Sequence, residues 1–353
     1  MDSPFKFLDA YEQEDVEQFF GREKETGQLY NAVFSSNLTL LYGASGTGKT
    51  SLIRCGLADK FYDSDWLPLF IRRGQDLNRS LSRSIRQALE RAAPEHFSRL
   101  SITEQVQQLY WDHYRPIYLI FDQFEELYVH GSAAEQETFY QTIARLLTSG
   151  LQAKVLIVIR EEWIAYLDAF ERMVPGLFEN RLRIERMNDR NIFRVIGGTA
   201  RYHGIPIEEP ALTIRNIIDN LRDRNERVDL TNLQVYLDRL WRTDIEQNGR
   251  RAEKVALRPS LVRQVGKLDN VLALFLVEQM EQLEEKLRAR EVSHPEGLPL
   301  EILFALVSEE QTKSTKALEE IRRALPEDRR LSEANLRFCL KELQRIKIIR
   351  PVE

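Results

Sequence analysis

The sequence has few cysteines and no long apolar run, and each absence excludes a class of protein. Its 353 residues include only two cysteines, Cys55 and Cys339. Two distant cysteines form neither a disulfide framework nor a metal cluster, which favours a reducing compartment. The longest apolar run, residues 271–277, is far shorter than the roughly 20 residues that a membrane helix needs. The sequence therefore predicts no membrane association.

A strong net charge is also lacking. The chain has 50 Lys and Arg against 55 Asp and Glu, a formal charge of −5. This balance provides no overall attraction to nucleic acid or to an anionic membrane. The first residues, MDSPFKFLDAYEQED, turn acidic before any apolar stretch, unlike a secretory signal peptide. We therefore predict a cytoplasmic protein for which nucleic acid is not an expected partner.

Short β-branched runs alternate with helical patterns through the first half of the chain. Strands are predicted at residues 38–42, 66–72, 116–122, 154–160 and 181–187. The third and fourth runs are apolar at successive positions, as in central strands that are buried on both faces. The pattern predicts an α/β fold with a parallel sheet flanked by helices.

After residue 187 the strand pattern gives way to apolar residues at helical spacing. We predict three domains: an α/β core over residues 1–187, an α-helical lid over 188–255, and a helical, winged-helix-like domain over 256–353. The last domain is expected to contain a long helix at 269–290. It is also expected to contain a closing helix after Ser332 that ends in a short extended tail.

One motif in the core carries specific chemistry. The segment LYGASGTGKTSL places Gly43, Gly48, Lys49 and Thr50 in the pattern G-x-x-x-x-G-K-[ST], between a predicted strand and a predicted helix. This is the context that a phosphate-binding P-loop requires. Glycines let backbone amides turn toward phosphate oxygens, the lysine reaches the β- and γ-phosphates, and the threonine hydroxyl binds Mg²⁺. The motif predicts ATP or ADP with Mg²⁺ as ligands, and a plain Gly/Ser-rich turn is the structural alternative.

A P-loop needs a second magnesium ligand at the end of a neighbouring strand. Asp122 closes the predicted strand 116–122 and fits that role, although a strand-end aspartate also caps helices. The next residue is Gln123, whereas many hydrolytic P-loop enzymes have a glutamate there to activate water. Glu125 and Glu126 follow within one helical turn, and either is a candidate general base. Their structural alternative is a stabilising role in the first turn of a helix.

Arg160 ends the predicted strand 154–160 and should emerge at the same edge of the sheet. A cation at that edge is suited to contact the γ-phosphate and to stabilise its transferred charge. An ion pair with Glu161, Glu162 or another neighbouring acid is the alternative. The nearby Trp163 and Tyr166 have helical spacing, which favours a core role over base stacking.

Several segments resemble the bacterial novel STAND NTPases, signal-transduction ATPases related to the AAA+ group. These segments are PFKFLDAYEQEDVEQFFGREKE, GASGTGKTSLIRCGL, LIFDQFEEL, VIREEW and LTNLQVYLDRLW. They follow one another at the family's spacing over nearly the whole chain. The resemblance implies a P-loop NTPase core followed by a helical lid and a winged-helix-like domain.

The resemblance also implies roles for individual residues. It places Phe20, Gly21 and Arg22 beside the adenine, makes Asp122 and Thr50 the metal ligands, and makes Arg160 a nucleotide sensor. It assigns phosphate binding to the loop residues Gly43, Ala44, Ser45, Gly46, Thr47, Gly48, Lys49, Thr50 and Ser51. Relatives share the Asp-Gln-Phe-Glu-Glu strand end, so Gln123 is a family feature. They also imply that strand 154–160 lies between strands 38–42 and 116–122.

The chain departs from the family pattern in two places. Many relatives have a proline in the lid motif where this chain has Leu230 or Thr231. STAND proteins also usually join the ATPase core to effector and sensor domains. We expect those domains to be separate chains or to be missing from a fragment.

Three functions are compatible with these features. The favoured one is a slowly hydrolysing ATPase switch that is closed with ADP, and opens and forms homo-oligomers with ATP. A second is a DNA-binding ATPase of the AAA+ type that uses its winged helix, in which Lys341, Arg345, Lys347 and Arg350 would face DNA. Interspersed acids such as Glu342 favour a solvated face instead. The third is a scaffold that binds ATP without cleaving it.

Overall fold

The architecture comes from a computed structural model of the chain. It describes residues 3–7, 9–90, 97–223, 225–247, 255–290, 297–306, 316–345 and 348–349. The chain forms two compact units, Met1–Val265 and Gly266–Glu353, and each is treated by itself below. Within the described ranges, no helix combines the length and the apolar character that crossing a bilayer requires.

A five-stranded parallel sheet forms the centre of the first unit. Its strands are β1 (Leu38–Gly43), β2 (Leu67–Ile71), β3 (Ile117–Phe121), β4 (Ala153–Arg160) and β5 (Arg181–Arg183). The spatial order is β2-β3-β4-β1-β5. Strand β4 therefore lies between the P-loop strand and the strand that leads to Asp122, as expected. The predicted α/β fold with a flanked parallel sheet is confirmed.

The fifth strand is shorter than the sequence pattern predicts. It was expected over residues 181–187 but ends at Arg183. The register explains the difference: Tyr42 pairs with Arg183, and strand β1 ends one residue later, at Gly43. The amide of Ile184 still donates to the carbonyl oxygen of Tyr42 at 2.7 Å, but beyond it β1 offers no further pairing partner. The prediction for residues 184–187 was therefore wrong.

Helices cover both faces of the sheet and create two apolar layers. Alternate strand residues enter opposite layers, so Leu40 and Leu119 pack into one, and Leu41 and Ile120 into the other. All five residues of β3 are buried. Burial on both faces explains why the central strands are continuous apolar runs rather than alternating ones.

The helices of the first unit alternate with its strands and then follow one another. They are α1 (Glu23–Ser35), α2 (Lys49–Ser51), α3 (Leu77–Ala88), α4 (Ile102–His113), α5 (Glu126–His130), α6 (Ala133–Thr148), α7 (Asp168–Met173), α8 (Asp189–Tyr202), α9 (Pro210–Leu221), α10 (Leu230–Gln247) and α11 (Pro259–Val265). Helix α2 continues directly as a π-helix over Leu52–Leu57. Helices α8 to α10 correspond to the predicted lid. The expected domain boundaries at residues 187 and 255 stay predictions.

The second unit is helical throughout its described part. It contains α12 (Leu268–Ala289), α13 (Leu298–Phe304), α14 (Leu318–Ala324) and α15 (Glu333–Arg345). Helix α12 matches the predicted long helix, and the Ser332 hydroxyl accepts a hydrogen bond from the amide of Asn335 at the start of α15. The described residues of this unit include no strand, and most of the predicted extended tail lies outside them. A winged helix therefore stays a prediction.

Candidate functional site

The phosphate-loop segment joins the carboxyl end of β1 to α2. Gly46 and Gly48 have φ values of +71° and +84°, in the left-handed region that glycine adopts at little cost. At Gly43 a Cβ would lie 2.3 Å from the carbonyl oxygen of Ile184. The two motif glycines, Gly43 and Gly48, and the intervening Gly46 are thus each required by local geometry.

The remaining loop residues hold the segment in place. The buried Thr47 donates from its hydroxyl to the carbonyl oxygen of Ala44 at 3.0 Å, which closes the loop on itself. Ser51 accepts a hydrogen bond from the amide of Tyr11 at 3.2 Å. Ser45 is exposed at the tip. The loop is therefore stabilised by a hydrogen bond within it and by one from the N-terminal segment.

Lys49 lies along the loop. Its ammonium group donates to the carbonyl oxygens of Gly43 at 2.7 Å and Ala44 at 2.9 Å. Burial lowers the pKa of this lysine, and the carboxylate of Glu125 opposes that change. Lys49 is thus a cation directed at the inside of the loop rather than at bulk solvent.

Asp122 follows β3 and meets the loop across the sheet edge. Its carboxylate oxygens accept from the Thr50 hydroxyl at 3.2 and 3.3 Å. Arg72, which follows β2, forms an ion pair with the same carboxylate at 2.7 Å. The two residues predicted as metal ligands are therefore adjacent, and hydroxyl and carboxylate oxygens are donors that suit Mg²⁺.

Gln123 turns the chain immediately after Asp122. Its φ is +60°, an uncommon value for a residue other than glycine. Next to it, the amide of Phe124 donates to the carbonyl oxygen of Val158 at 2.9 Å, which ties the turn to β4. The turn leads into the two glutamates, so the strained residue is the one that redirects the chain toward them.

Glu125 and Glu126 lie in different surroundings. Glu125 is buried, and its carboxylate accepts from the Arg160 guanidinium at 2.9 Å. Burial raises the pKa of both glutamates; Arg160 opposes this at Glu125, and Arg72 opposes it at Glu126. Of the two, Glu125 is the carboxylate that faces Lys49 and Arg160.

Arg160 pairs with neither of the acids that follow it. Its guanidinium and its backbone amide both donate to Glu125, at 2.9 and 3.3 Å. Glu161 pairs instead with Arg183 at 2.9 Å. The end of β4 thus directs Arg160 toward the loop edge of the sheet, where it forms an ion pair with a neighbouring acid, the alternative given above. Its contact with a γ-phosphate stays a prediction.

Residues 20–22 connect the loop to helix α8. The Arg22 guanidinium donates to the carbonyl oxygen of Thr47 at 2.8 Å. Gly21 has a φ of +82° and lies within contact distance of α8. A Cβ at Gly198 would lie 2.6 Å from the Phe20 ring, so that glycine provides room for the aromatic side chain.

A cavity opens beside the loop, between the N-terminal segment and the helical region. The space that it encloses, together with its open mouth, is about 670 Å³. It is lined by Phe7, Asp9, Tyr11, Gln18, Phe19, Phe20, Arg22, Gly46, Gly48, Ser51, Met187, Val195, Leu230, Thr231, Leu233 and Gln234. A mostly apolar cavity next to a phosphate-binding loop suits a nucleotide, with the flat base in the cavity and the charged phosphates at the loop.

The start of α10 contacts the loop directly. The amide of Leu230 donates to the carbonyl oxygen of Gly46 at 3.3 Å. The carboxylate of Asp229 lies so close to Gly46 that a Cβ there would be 1.7 Å from its Oδ2 atom. Leu230 and Thr231, one of which is expected to stand where many relatives have a proline, line the cavity.

Sequence reasoning missed Arg72 and Asp229. Arg72 carries a weak signal, since it ends a predicted strand like Arg160. Asp229 carries a helix-cap signal only, and its contact with Gly46 joins segments that are far apart in sequence. The core interpretation of the aromatic pair holds for Trp163, which packs against the apolar layer, but was wrong for Tyr166, which is 56% exposed. The rings of Tyr166 and Trp163 contact each other in a tilted arrangement, with their centroids 4.8 Å apart.

Solved structures share this architecture at low sequence identity. A Walker-type ATPase of Pyrococcus abyssi matches with a TM-score of 0.52 and 15% identity, covering 97% of this chain and 93% of that one. The Aeropyrum pernix ORC1 protein in complex with DNA gives 0.53 and 16%, covering 99% and 90%. The Aeropyrum pernix ORC2 protein with ADPNP and ADP gives 0.53 and 14%, covering 93% and 86%. These likenesses establish the fold.

No protein with a curated description matches the sequence. A family model does match, and it extends over residues 4–347, nearly the whole chain. The matched region contains the loop, Asp122, the two glutamates, Arg160 and the start of α10. The chain therefore belongs to the novel STAND NTPase 1 family.

Proposed function

We propose that this NTPase is a molecular switch that binds ATP with Mg²⁺, hydrolyses it slowly, and changes its association state with the bound nucleotide. The observation that carries the proposal is the contact between the Thr50 hydroxyl and the Asp122 carboxylate at 3.2 Å. It joins the two predicted metal ligands at the loop that bears Lys49. The start of α10 rests on the same loop, so a ligand there has direct access to a second structural region.

In this arrangement the side chains of Thr50 and Asp122 would supply two oxygen ligands to a magnesium ion. Mg²⁺ commonly takes one or two protein ligands and fills its octahedron with waters and phosphate oxygens. Thr50 and Asp122 provide that number. The ion, when bound, neutralises charge on the phosphates. Arg72 has to share or release the Asp122 carboxylate in such a complex.

Glu125 is the better candidate for the general base. It lies beside Lys49 and Arg160, whereas Glu126 lies on the side of Arg72. A base must be near the water that attacks the γ-phosphate, and Lys49 and Arg160 are the cations expected around that phosphate. Gln123 then does not replace a lost general base, because it adopts the backbone conformation that the turn after Asp122 requires.

Arg160 is the candidate for sensing the γ-phosphate. Its guanidinium is held by Glu125, but the side chain as a whole is still 39% exposed, which leaves it accessible to a ligand. A γ-phosphate that draws Arg160 away would leave Glu125 without its ion-pair partner. Both residues therefore distinguish a triphosphate from a diphosphate, and a ligand moves an equilibrium only through such differential contacts.

A switch requires that the bound nucleotide contact a region outside the α/β core. Leu230 and Thr231 line the cavity and belong to α10, so a bound nucleotide touches the helical region as well as the loop. We propose an ADP form in which these contacts persist and an ATP form that opens and self-associates. Effector and sensor functions would then belong to other chains or domains.

DNA binding is the weaker candidate. The Aeropyrum pernix ORC1 protein was solved with DNA, but the basic residues of α15 argue against that role here. Arg345 and Lys286 both pair with Glu342, and Arg337 pairs with Glu333. Lys347 and Arg350 lie outside the described residues. A closing helix whose described cations are largely paired presents little free charge to phosphates.

The test is calorimetric binding of ATP and ADP with Mg²⁺ to the wild-type chain and to Lys49→Ala. Charge-assisted hydrogen bonds are worth about 1.5–3 kcal/mol, so we expect binding to weaken by about 10- to 100-fold. Lys60→Ala, an exposed lysine that pairs with Asp59, is the matched control and should bind normally. Equal ATP binding by all three proteins would reject the proposal. Mass measurement with ATP and with ADP tests the association step.

A further inference from the structure

The carboxylate of Asp229 occupies an unusual position, directly on the phosphate-type loop. A Cβ built on Gly46 would lie 1.7 Å from its Oδ2 and 2.5 Å from its Oδ1. Only a glycine at position 46 leaves room for this carboxylate. The adjacent amide of Leu230 donates to the Gly46 carbonyl oxygen at 3.3 Å, which fixes the contact. An acidic group thus lies against a loop whose chemistry is to bind anions.

Only one of the two carboxylate oxygens of Asp229 accepts hydrogen bonds from amides at the start of helix α10. Oδ1 accepts from the amides of Thr231 at 2.8 Å and Asn232 at 3.4 Å, an ordinary cap at the start of α10. Oδ2 is the oxygen closer to the Cβ position of Gly46. Among the described basic side chains, none forms an ion pair with Asp229. A cap alone does not need the charge, because asparagine caps a helix as well as aspartate does.

Asp229 therefore brings a negative charge to the place where phosphates are expected. The loop amides that follow Gly46 are the groups that cradle phosphates in such motifs. Like charges at close range repel, and the repulsion is stronger at a partly buried site than in water. The nearest loop cation, Lys49, is directed at the carbonyl oxygens of Gly43 and Ala44.

We propose that Asp229 is a positioning residue that opposes nucleotide phosphates while α10 rests on the loop. Its charge weakens the nucleotide complex of the closed arrangement and speeds nucleotide release, so the position of α10 and the phosphates are coupled. The inference rests on the proposed function in one respect, that the loop binds a nucleotide. It adds a regulatory residue to that site which neither the P-loop motif nor the strand-end acids contain.

The experiment measures the release rate of a fluorescent ADP analogue from full-length protein by stopped flow. Asp229→Asn removes the charge and keeps the helix cap. The matched control is Asp223→Asn, in the segment before α10, where Asp223 caps a turn by accepting from the amides of Asn225 and Arg227. We expect Asp229→Asn to slow release about tenfold, equivalent to about 1.4 kcal/mol, and Asp223→Asn to leave it unchanged.

Salt dependence separates charge from structure. The Debye length falls from about 10 Å at 0.1 M to about 3 Å at 1 M salt, so the difference between wild type and Asp229→Asn should shrink. An unchanged or faster release from Asp229→Asn would overturn the inference, as would a difference that salt does not alter. Absence of Lys49-dependent binding in every protein would instead reject the proposed function itself.

Discussion

Glu125 accepts two hydrogen bonds from one residue, because both the guanidinium and the backbone amide of Arg160 donate to it, at 2.9 and 3.3 Å. The pair connects the turn after β3 to the end of β4. It fixes the orientation of a buried carboxylate beside Lys49. The Arg160 side chain is still 39% exposed. In the proposed function, this pair is the place where the γ-phosphate would be sensed and the attacking water activated.

Glu125→Gln should abolish phosphate release while ATP still binds. Positioned general bases contribute about 10²–10⁴-fold to rate, so a loss of that size is expected from the amide. Glu126→Gln is the matched control because it removes the same charge one residue away, and it should retain most of the activity. Phosphate release in single turnover, together with ATP titration, measures both properties. Loss with Glu126→Gln alone would show that the assignment of the base is wrong.

The sheet could be predicted because its signal is local. Strands that are buried on both faces must be apolar at successive positions, as at residues 116–122 and 154–160. The end of the fifth strand could not be predicted from its own residues, because it is set by the end of its partner β1 at Gly43, which is distant in the chain. A limit that a partner strand sets leaves no periodic pattern in the strand's own sequence.

The candidate site likewise has residues that the sequence predicts and residues that it does not. The loop glycines and Asp122 follow from motif chemistry at fixed spacing. The choice between Glu125 and Glu126 requires the backbone turn at Gln123, which no composition rule indicates. The contact of Asp229 with the loop requires the fold itself. Residues that act through distant contacts were therefore the ones that sequence reasoning missed.

Gly46→Ala should disturb the loop and its contact with α10. The new Cβ would lie 1.7 Å from an oxygen of Asp229, and the φ of +71° is unfavourable for alanine. We expect a loss of about 1–3 kcal/mol of stability, since strained backbone positions cost that much. We also expect weaker ADP binding, because the displacement of the loop amides that cradle phosphates outweighs the displacement of the Asp229 charge. ADP titration and thermal unfolding measure the two effects.

Gly27→Ala is the control for this substitution. Gly27 lies within α1, and a Cβ there meets nothing within 4 Å. Alanine should stabilise that helix by about 0.5–1 kcal/mol. ADP binding should be unchanged. If Gly46→Ala behaved like Gly27→Ala, the close contact between Asp229 and the loop would not exist in solution.

The loop that follows β2 depends on a buried ion pair, Arg73 with Glu135, at 2.7 Å. Glu135 also accepts from the amide of Leu77 at 2.8 Å, so one carboxylate fixes both the loop and the start of α3. Arg72, the partner of Asp122, is the adjacent residue. The ion pair thus holds the backbone from which Arg72 reaches the candidate metal ligand.

Glu135→Gln should destabilise the first unit by about 3–5 kcal/mol, because it leaves the largely buried charge of Arg73 without an anionic partner. Asp168→Asn is the matched control: its pair with Arg172 is largely exposed, at 65% and 79%, and such pairs contribute about 0–1 kcal/mol. Denaturant unfolding of both variants gives the comparison. Equal midpoints would mean that water reaches Arg73 in the native state, and that the loop bearing Arg72 is held by other contacts.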